Sequence, residues 1–438
     1  MPLPIRYTNQ VLDMHKIWEP EGYFTFQCKI WVAQSEARAE LFGKPTTQEL
    51  EEIKKALVLD QSEIDSLLEA RGHETNKLLR LVQGKLSKDA GNYLHKGNTS
   101  SDVLDTSLAL QIKESLQILE KDFNELLDSL KKLSLKHKNT LQVGRSHGQH
   151  AVPQTFGRQV LGWYAEVLRD ITRIKHSESV IAYGKCSGEI GTNVFIEPEV
   201  EKLALKKLGL EVDQAPTQVI SRDRHAEVLS LLAINAGTLE RIATDIRLLS
   251  ITDVGEVREP FEKESQQGSS AMPHKRNPEL SERICGLARV IRSAAFAEQN
   301  SQALWFERDI SHSSVERFAF PDVFEGLLYA VRLMTQVVEG LVVYEDRMLE
   351  NLKSTYGAIY SPRLLNTLLE KGVSRTQAYD VVKALAQRAM DEKIELLDLA
   401  LKEQEVADLI PEAELRDLFD TGFYLRNIHE AYVRLDVK

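Results

Sequence analysis

Between Asn98 and Val143 the chain contains neither glycine nor proline. Within that window Leu104, Leu108, Ile112, Leu116, Leu119, Phe123, Leu126, Leu130 and Leu133 recur at steps of four and three. Such spacing lays one apolar stripe along a helix of roughly 50 Å, at about 1.5 Å per residue. Phe324, Leu327, Val331, Met334, Val338 and Leu341 repeat the pattern, and Val228 to Ile251 forms a third long segment of the same kind. Helices of this length exceed the globular norm and predict an elongated bundle. The stretch "VGRSHGQHAVPQTFG" is read as punctuation that ends the first long helix at Gly144 and starts the next near Pro153. Strand signals are sparse, the best being "TNVFIEP" at Thr192–Pro198, which predicts a small hairpin. Shorter helices fill the first hundred residues, where "TTQELEEIKKAL" is capped by Thr46 or Thr47. The last eighty residues are short helices interrupted by "GVSRTQ" and "LIPEAEL". The expected architecture is all-α, with an N-terminal helical domain over 1–102, a long-helix bundle over 103–355 and a C-terminal helical domain over 356–438.

Composition narrows what such a bundle does. The 438 residues are 42% hydrophobic and 28% charged, an ordinary globular balance. A net charge of −11 argues against a general nucleic-acid binder, which needs a broad basic face. Any anionic ligand must then be captured by a local basic cluster working against the overall field. Cys28, Cys186 and Cys285 are odd in number and widely spaced, so neither a disulfide framework nor a thiolate zinc site is suggested. The opening "MPLPIRYTNQ" lacks an apolar signal core and no apolar run approaches a bilayer span, so a cytoplasmic protein without a membrane partner is expected. No GxGxxG, no GxxxxGK[ST] and no βαβ alternation is present, which disfavours the nucleotide-binding α/β folds.

The polar segments carry the chemistry. "YLHKGNTSSD" (Tyr93–Asp102) precedes the first long helix, and capping explains only one of its hydroxyls. His147 and His150 have helical metal-ligand spacing, yet no HExxH or nearby carboxylate accompanies them, which leaves structural and acid–base roles open. "SRDRHAE" (Ser221–Glu227) reads as the capped start of a helix, and "WFERDISHSSVER" gathers Arg308, Ser311, His312, Ser313 and Arg317 after a break in periodicity. All lie at ends of long helices, where orphan N–H groups and side chains converge on an anion. "GSSAMPHKRNPE" (Gly268–Glu279) adds a turn whose successive N–H groups form an anion nest, beside Lys275 and Asn277. A serine in such a field has a depressed hydroxyl pKa, and Pro273 and Pro278 allow the loop to close over substrate. This residue set suits abstraction of a proton next to a carboxylate.

"GSSAMPHKRNPE" resembles the signature of the fumarase/aspartase superfamily. With "RSHGQHA", "HKGNTSSD", "SRDRHA" and "ERDISHSS" in order, and with the N-terminal "RY", the whole chain resembles the adenylosuccinate lyase family within it. The resemblance implies an all-α homotetramer whose bundle assembles each active site from three subunits. It implies cleavage of a succinylated purine nucleotide to release fumarate, without cofactor or metal. Matched residue by residue, it makes Ser269 the general base and His147 the general acid, with Glu282 supporting a histidine of another subunit. His73 and His95 match further site histidines, and Lys275 and Asn277 match carboxylate and carbanion binders. Thr99, Ser100 and Gln218 match succinyl contacts, while Arg6, Tyr7, Arg283, Arg308, Ser313 and Arg317 match the remaining substrate binders, phosphate and ribose among them. Two positions depart from the family pattern: Ser146 stands for the usual Thr before the acid, and Glu74 for the usual Asp after His73. The first keeps a hydroxyl; the second moves a carboxylate by one methylene. Argininosuccinate lyases and carboxymuconate cycloisomerases share the superfamily but take substrates without phosphate, which would leave the arginine groups without a purpose. A catalytically dead helical scaffold would have no reason to retain Ser269, His147, Lys275 and Asn277 together.

Overall fold

The structure, a computed structural model, describes residues 5–260, 272 and 274–438, the side chains of Ile5 and Arg6 excepted. The longest apolar stripe forms one helix, Ser100–Lys136, of 37 residues. Every stripe position from Ile112 to Leu133 is buried, whereas Leu104 and Leu108 at the start are half-buried and face a cavity. The other two stripes become Asp223–Ser250 and Ser311–Glu339, the latter with Pro321 inside it. Thr46 caps Thr47–Ala56 through a capping box with Glu49.

The first long helix stops at Lys136, not Gly144, and the punctuation segment is a β-hairpin. Leu141–Ser146 pairs antiparallel with Gln149–Thr155, and the next helix begins at Phe156. Gly144 lies where the register slips between Val143 and Arg145, and Pro153 faces Val143 within the ladder. Glycine and proline thus mark a bulged strand pair here rather than two helix ends. The expected strand at Thr192–Pro198 is absent. Ile196 is buried there against Ala33, Ala37, Val200 and Ala204, and Pro198 opens the helix Pro198–Lys207 at its first position.

The chain divides into two compact units, each taken by itself. The first comprises Met1–Glu125, Arg169–Glu240 and Arg283–Leu333. In it Trp18 stacks on Phe324 and Phe320 with ring centroids 5.5 and 6.2 Å apart, and the buried Gln111 amide donates to the Ile17 carbonyl at 2.8 Å. All three cysteines lie in this unit, buried and free. Burial pushes the Cys28 thiol up to about 12, and the Cys186 thiol is driven upward too by burial and by Asp102.

The second unit comprises Leu126–Leu168, Arg241–Glu282 and Met334–Lys438. The hairpin is anchored there by the fully buried Glu256, which accepts from Arg145 at 2.6 and 3.1 Å, Gln142 at 2.9 Å and Asn351 at 2.8 Å. Val257–Arg258 pairs with Val342–Val343, and a C-terminal cluster that includes Leu364, Leu368, Leu385, Leu396 and Leu415 forms a separate core. No helix among the described residues is long and apolar enough to cross a membrane.

Candidate active site

In the first unit a cavity of about 310 Å³ is lined by Arg308, His312, Ser313, Glu316 and Arg317 together with Trp18, Tyr23, Phe24, Leu104 and Leu108. The cationic wall follows from helix geometry. Asp309 accepts from the Ser311 and Trp305 amides, both at 2.8 Å, and so fixes the entry of Ser311–Glu339. The hydrogen bonds from Ser311 hold its carboxyl down at about 2. Ser313 and Arg317, four residues apart, then share one face. Arg308 donates to the side-chain amide oxygen of Gln218 at 3.4 Å, joining two of the residues singled out in the sequence. Arg317 donates to both carboxylate oxygens of Glu74, at 3.0 and 2.8 Å, and the Tyr23 hydroxyl donates to Glu74 at 2.8 Å. Burial alone raises the Glu74 carboxyl, but the bonds from Arg317 and Tyr23 outweigh it and leave it lowered.

The same cavity is also lined by Asp105 and Arg222, which join Glu316 in a network that no sequence motif signals. Arg222 donates to Asp105 at 2.8 and 2.9 Å and to Glu316 at 2.7 Å, with the arginine itself sealed from solvent. Asp105 is held down at about 2, because the Arg222 charge overcomes the upward push of burial. His225 and His312 are driven the other way, to about 3 and about 4, by burial first and the Arg222 charge second. Both imidazoles are neutral at physiological pH. Glu298, also fully buried, is raised to about 8 by burial and by Glu316. The helix Asp223–Ser250 does start within "SRDRHAE", but nothing in a helix start signals that Arg222 is buried.

Elsewhere in the same unit, Trp31 donates its indole N–H to His95 Nδ1 at 3.1 Å. That bond leaves Nε2 of the neutral ring carrying the proton. Burial and the neighbouring His73 lower His95 to about 4, which keeps its ring neutral. His95 has φ 58°, in the left-handed region. His73 is exposed at the N-cap of Glu74–Gln83. Thr99 and Ser100 open the first long helix, where Asp102 accepts from the Thr99 amide at 2.7 Å. Asp102 is itself fully buried, accepting from Lys185 Nζ at 2.5 Å and the Ser187 amide at 3.0 Å. Tyr7 stacks on Tyr329 with centroids 4.5 Å apart, and the Arg283 guanidinium sits 5.5 Å over the Tyr7 ring. Arg6 lies on the short helix Ile5–Thr8.

The second unit carries the acid candidate. His147 and Gly148 are the two residues between the paired Ser146 and Gln149, with φ 54° and 75°. Positive φ at both central residues is the hairpin turn that matches strand twist, and it projects the exposed His147 from the tip. A non-glycine residue held there is an outlier of the kind concentrated at functional sites. His150 lies on the return strand, its pKa lowered by burial and Arg145. His274, Lys275, Arg276, Asn277 and Glu282 are exposed, and Glu259 caps the helix after them by accepting from the Leu280 and Ser281 amides at 3.1 and 2.7 Å. Ser269 and the Gly-Ser-Ser nest expected around it lie outside the described residues.

Residues 6–293 match the family model described as Lyase, and residues 357–435 match the one described as Adenylosuccinate lyase C-terminus. The chain is 44% identical to the adenylosuccinate lyase of Synechocystis sp. (strain ATCC 27184 / PCC 6803 / Kazusa) over 99% of both chains. It is 40% identical to that of Aquifex aeolicus (strain VF5) over 98% of both. This chain belongs to the adenylosuccinate lyase family. Among solved structures it is similar to a fumarate lyase from Mesorhizobium sp. BNC1, at 27% identity and TM-score 0.86, covering 96% of both chains. A 3-carboxy-cis,cis-muconate lactonizing enzyme from Pseudomonas putida superposes with TM-score 0.87 at 27% identity, covering 97% of this chain and 96% of that one. The fold is therefore common to the superfamily, while the full-length identity and the C-terminal match separate the adenylosuccinate lyase family from its neighbours.

Proposed function

We propose that the chain acts on adenylosuccinate through a site in which Ser269 removes the succinyl Cβ proton and His147 protonates the departing nitrogen. As a member of the adenylosuccinate lyase family it is a C–N lyase that eliminates fumarate. Loss of the Cβ proton builds charge onto the adjacent carboxylate, the C–N bond breaks, and AMP and fumarate leave. The same elimination on succinyl-aminoimidazole-carboxamide ribonucleotide gives the carboxamide ribonucleotide. Lys275 and Asn277 hold the charged succinyl intermediate, Thr99, Ser100 and Gln218 its carboxylates, and His73, His95 and Glu282 order the acid–base groups. Arg6, Tyr7 and Arg283 join Arg308, Ser313 and Arg317 on the nucleotide. We further propose a homotetramer in which the central segment, 103–355, forms the shared bundle between the N-terminal (1–102) and C-terminal (356–438) helical segments. Three buried, free cysteines accord with the reducing cytoplasm in which we place it.

One observation carries the substrate assignment: Arg308, Ser313 and Arg317 line a single cavity in an acidic protein. Planar guanidinium groups engage two phosphate oxygens at once, and a phosphate-free substrate leaves them idle. The test is the absorbance change on adenylosuccinate and on its dephosphorylated nucleoside, for wild type and Arg308→Ala. Bonds to a charged group are worth about 1.5–3 kcal/mol, so Arg308→Ala should raise KM for the nucleotide roughly 10- to 150-fold. The nucleoside should be a very poor substrate of both proteins. Equal handling of nucleoside and nucleotide by wild type would make the phosphate-free lyases the better reading.

A further inference from the structure

His312 sits in the first turn of Ser311–Glu339, one residue before Ser313, and lines the same cavity as Arg308 and Arg317. It is only 2% exposed, and its Nδ1 is sealed without a hydrogen-bond partner. Buried polar atoms are paired in the great majority of cases, so an unpartnered nitrogen on a cavity-lining residue points to a partner from outside the chain. The surrounding groups do not supply one. Asp105 is already engaged by two nitrogens of Arg222 and by the Ile220 amide at 2.8 Å. Glu316 is engaged by Arg222, and Asp309 by two backbone amides.

The charges around His312 decide what it can bind. Arg222, Asp105, Arg308 and Asp309 act on it directly, and the neutral His225 is its neighbour within the network. Two guanidinium groups beside a buried ring oppose a third cation, so His312 offers a neutral imidazole. Phosphate has better partners in Arg308 and Arg317. We infer that His312 is a further nucleotide-contacting residue, pairing its neutral imidazole with an uncharged hydrogen-bonding group of the nucleoside part, a sugar hydroxyl or a purine ring nitrogen. The inference rests on the lyase reading above and deepens it.

Titration of the full-length protein with AMP, 2′-deoxy-AMP and inorganic phosphate tests this. His312→Ala should weaken AMP roughly five- to tenfold, in line with one neutral hydrogen bond, and leave inorganic phosphate within about twofold of wild type. The AMP ratio of wild type to variant should stay constant from pH 6 to pH 8.5, since burial and Arg222 hold His312 at about 4. His312→Asn keeps a polar atom near Nδ1 and should retain AMP affinity, whereas His312→Gln places one near Nε2 and should lose it; the reverse order would overturn the use of Nδ1. If Ala does not fold, that pair alone carries the test. A 2′-deoxy penalty in wild type that disappears in the variant assigns a sugar contact, and an equal loss on both nucleotides assigns the base; either supports the inference. AMP affinity unchanged in every variant, an equal loss of phosphate, or a contact that weakens from pH 6 to pH 8.5 would each overturn it. Wild type that neither cleaves adenylosuccinate nor binds AMP would instead sink the lyase reading.

Discussion

Glu74 accepts from both terminal nitrogens of Arg317 through opposite carboxylate oxygens, at 3.0 and 2.8 Å. The carboxylate occupies the guanidinium fork that the proposed function assigns to phosphate. Arg317 is about half exposed and Glu74 one-third exposed, so solvent screening limits the pair to about 1 kcal/mol, or roughly fivefold. Glu74→Gln should therefore lower KM for adenylosuccinate two- to fivefold at low ionic strength, with the gain shrinking as salt rises. A higher KM would mean that Glu74 positions Arg317 instead of competing for it.

The hairpin tip makes the acid candidate unusually clean to test. His147 has φ 54°, a region that Asn tolerates and most side chains do not. His147→Asn should thus preserve the turn and the melting temperature while lowering turnover by about 10²–10⁴-fold, the range of a general acid. Retention of more than about a tenth of wild-type turnover would remove His147 from that role.

Shared sites have a direct consequence in mixtures. If His147 and Lys275 of one site come from different subunits, combining inactive His147→Ala and Lys275→Ala proteins should restore activity as subunits exchange. Exchange confirmed by mass spectrometry with no recovered turnover would rule the sharing out.

Glu298 predicts a pH dependence of stability. Its folded pKa of about 8 lies above the ordinary 4.5, so the unfolded chain loses this proton first. The sign follows: the contribution is fully present below about 4.5, declines as pH rises, and is lost above about 8. Glu298→Gln mimics the protonated form. It should match wild type near pH 4.5 and gain melting temperature steadily up to pH 8, with no further gain beyond. A flat difference across that range would show that Glu298 is charged in the folded protein.

The long helices were legible because their stripes extend over many turns and each buried position supports the same period. Leu104 and Leu108 show the limit of that logic, since stripe residues at a helix end line a cavity as readily as a core. The hairpin was hidden because its turn is His-Gly rather than the Asn-Gly or Asp-Gly that announces positive φ, and because its bulge carries Gly144. Thr192–Pro198 imitated a strand through local composition, but burial of Ile196 and the start of a helix at Pro198 decide its conformation. The motifs named Arg308, Ser313 and Arg317 together. They could not reveal that Arg222 ties Asp105 to Glu316, because that network joins residues more than ninety positions apart and leaves no local pattern.

Cys28, Cys186 and Cys285 are all enclosed, and burial suppresses the thiolate form of the first two. To an alkylating dye or spin label, which reacts with thiolate at the surface, the folded chain is nearly blank. A cysteine introduced at the exposed Arg276, beside the segment that carries the proposed base, would then report from one known position without any native cysteine being removed.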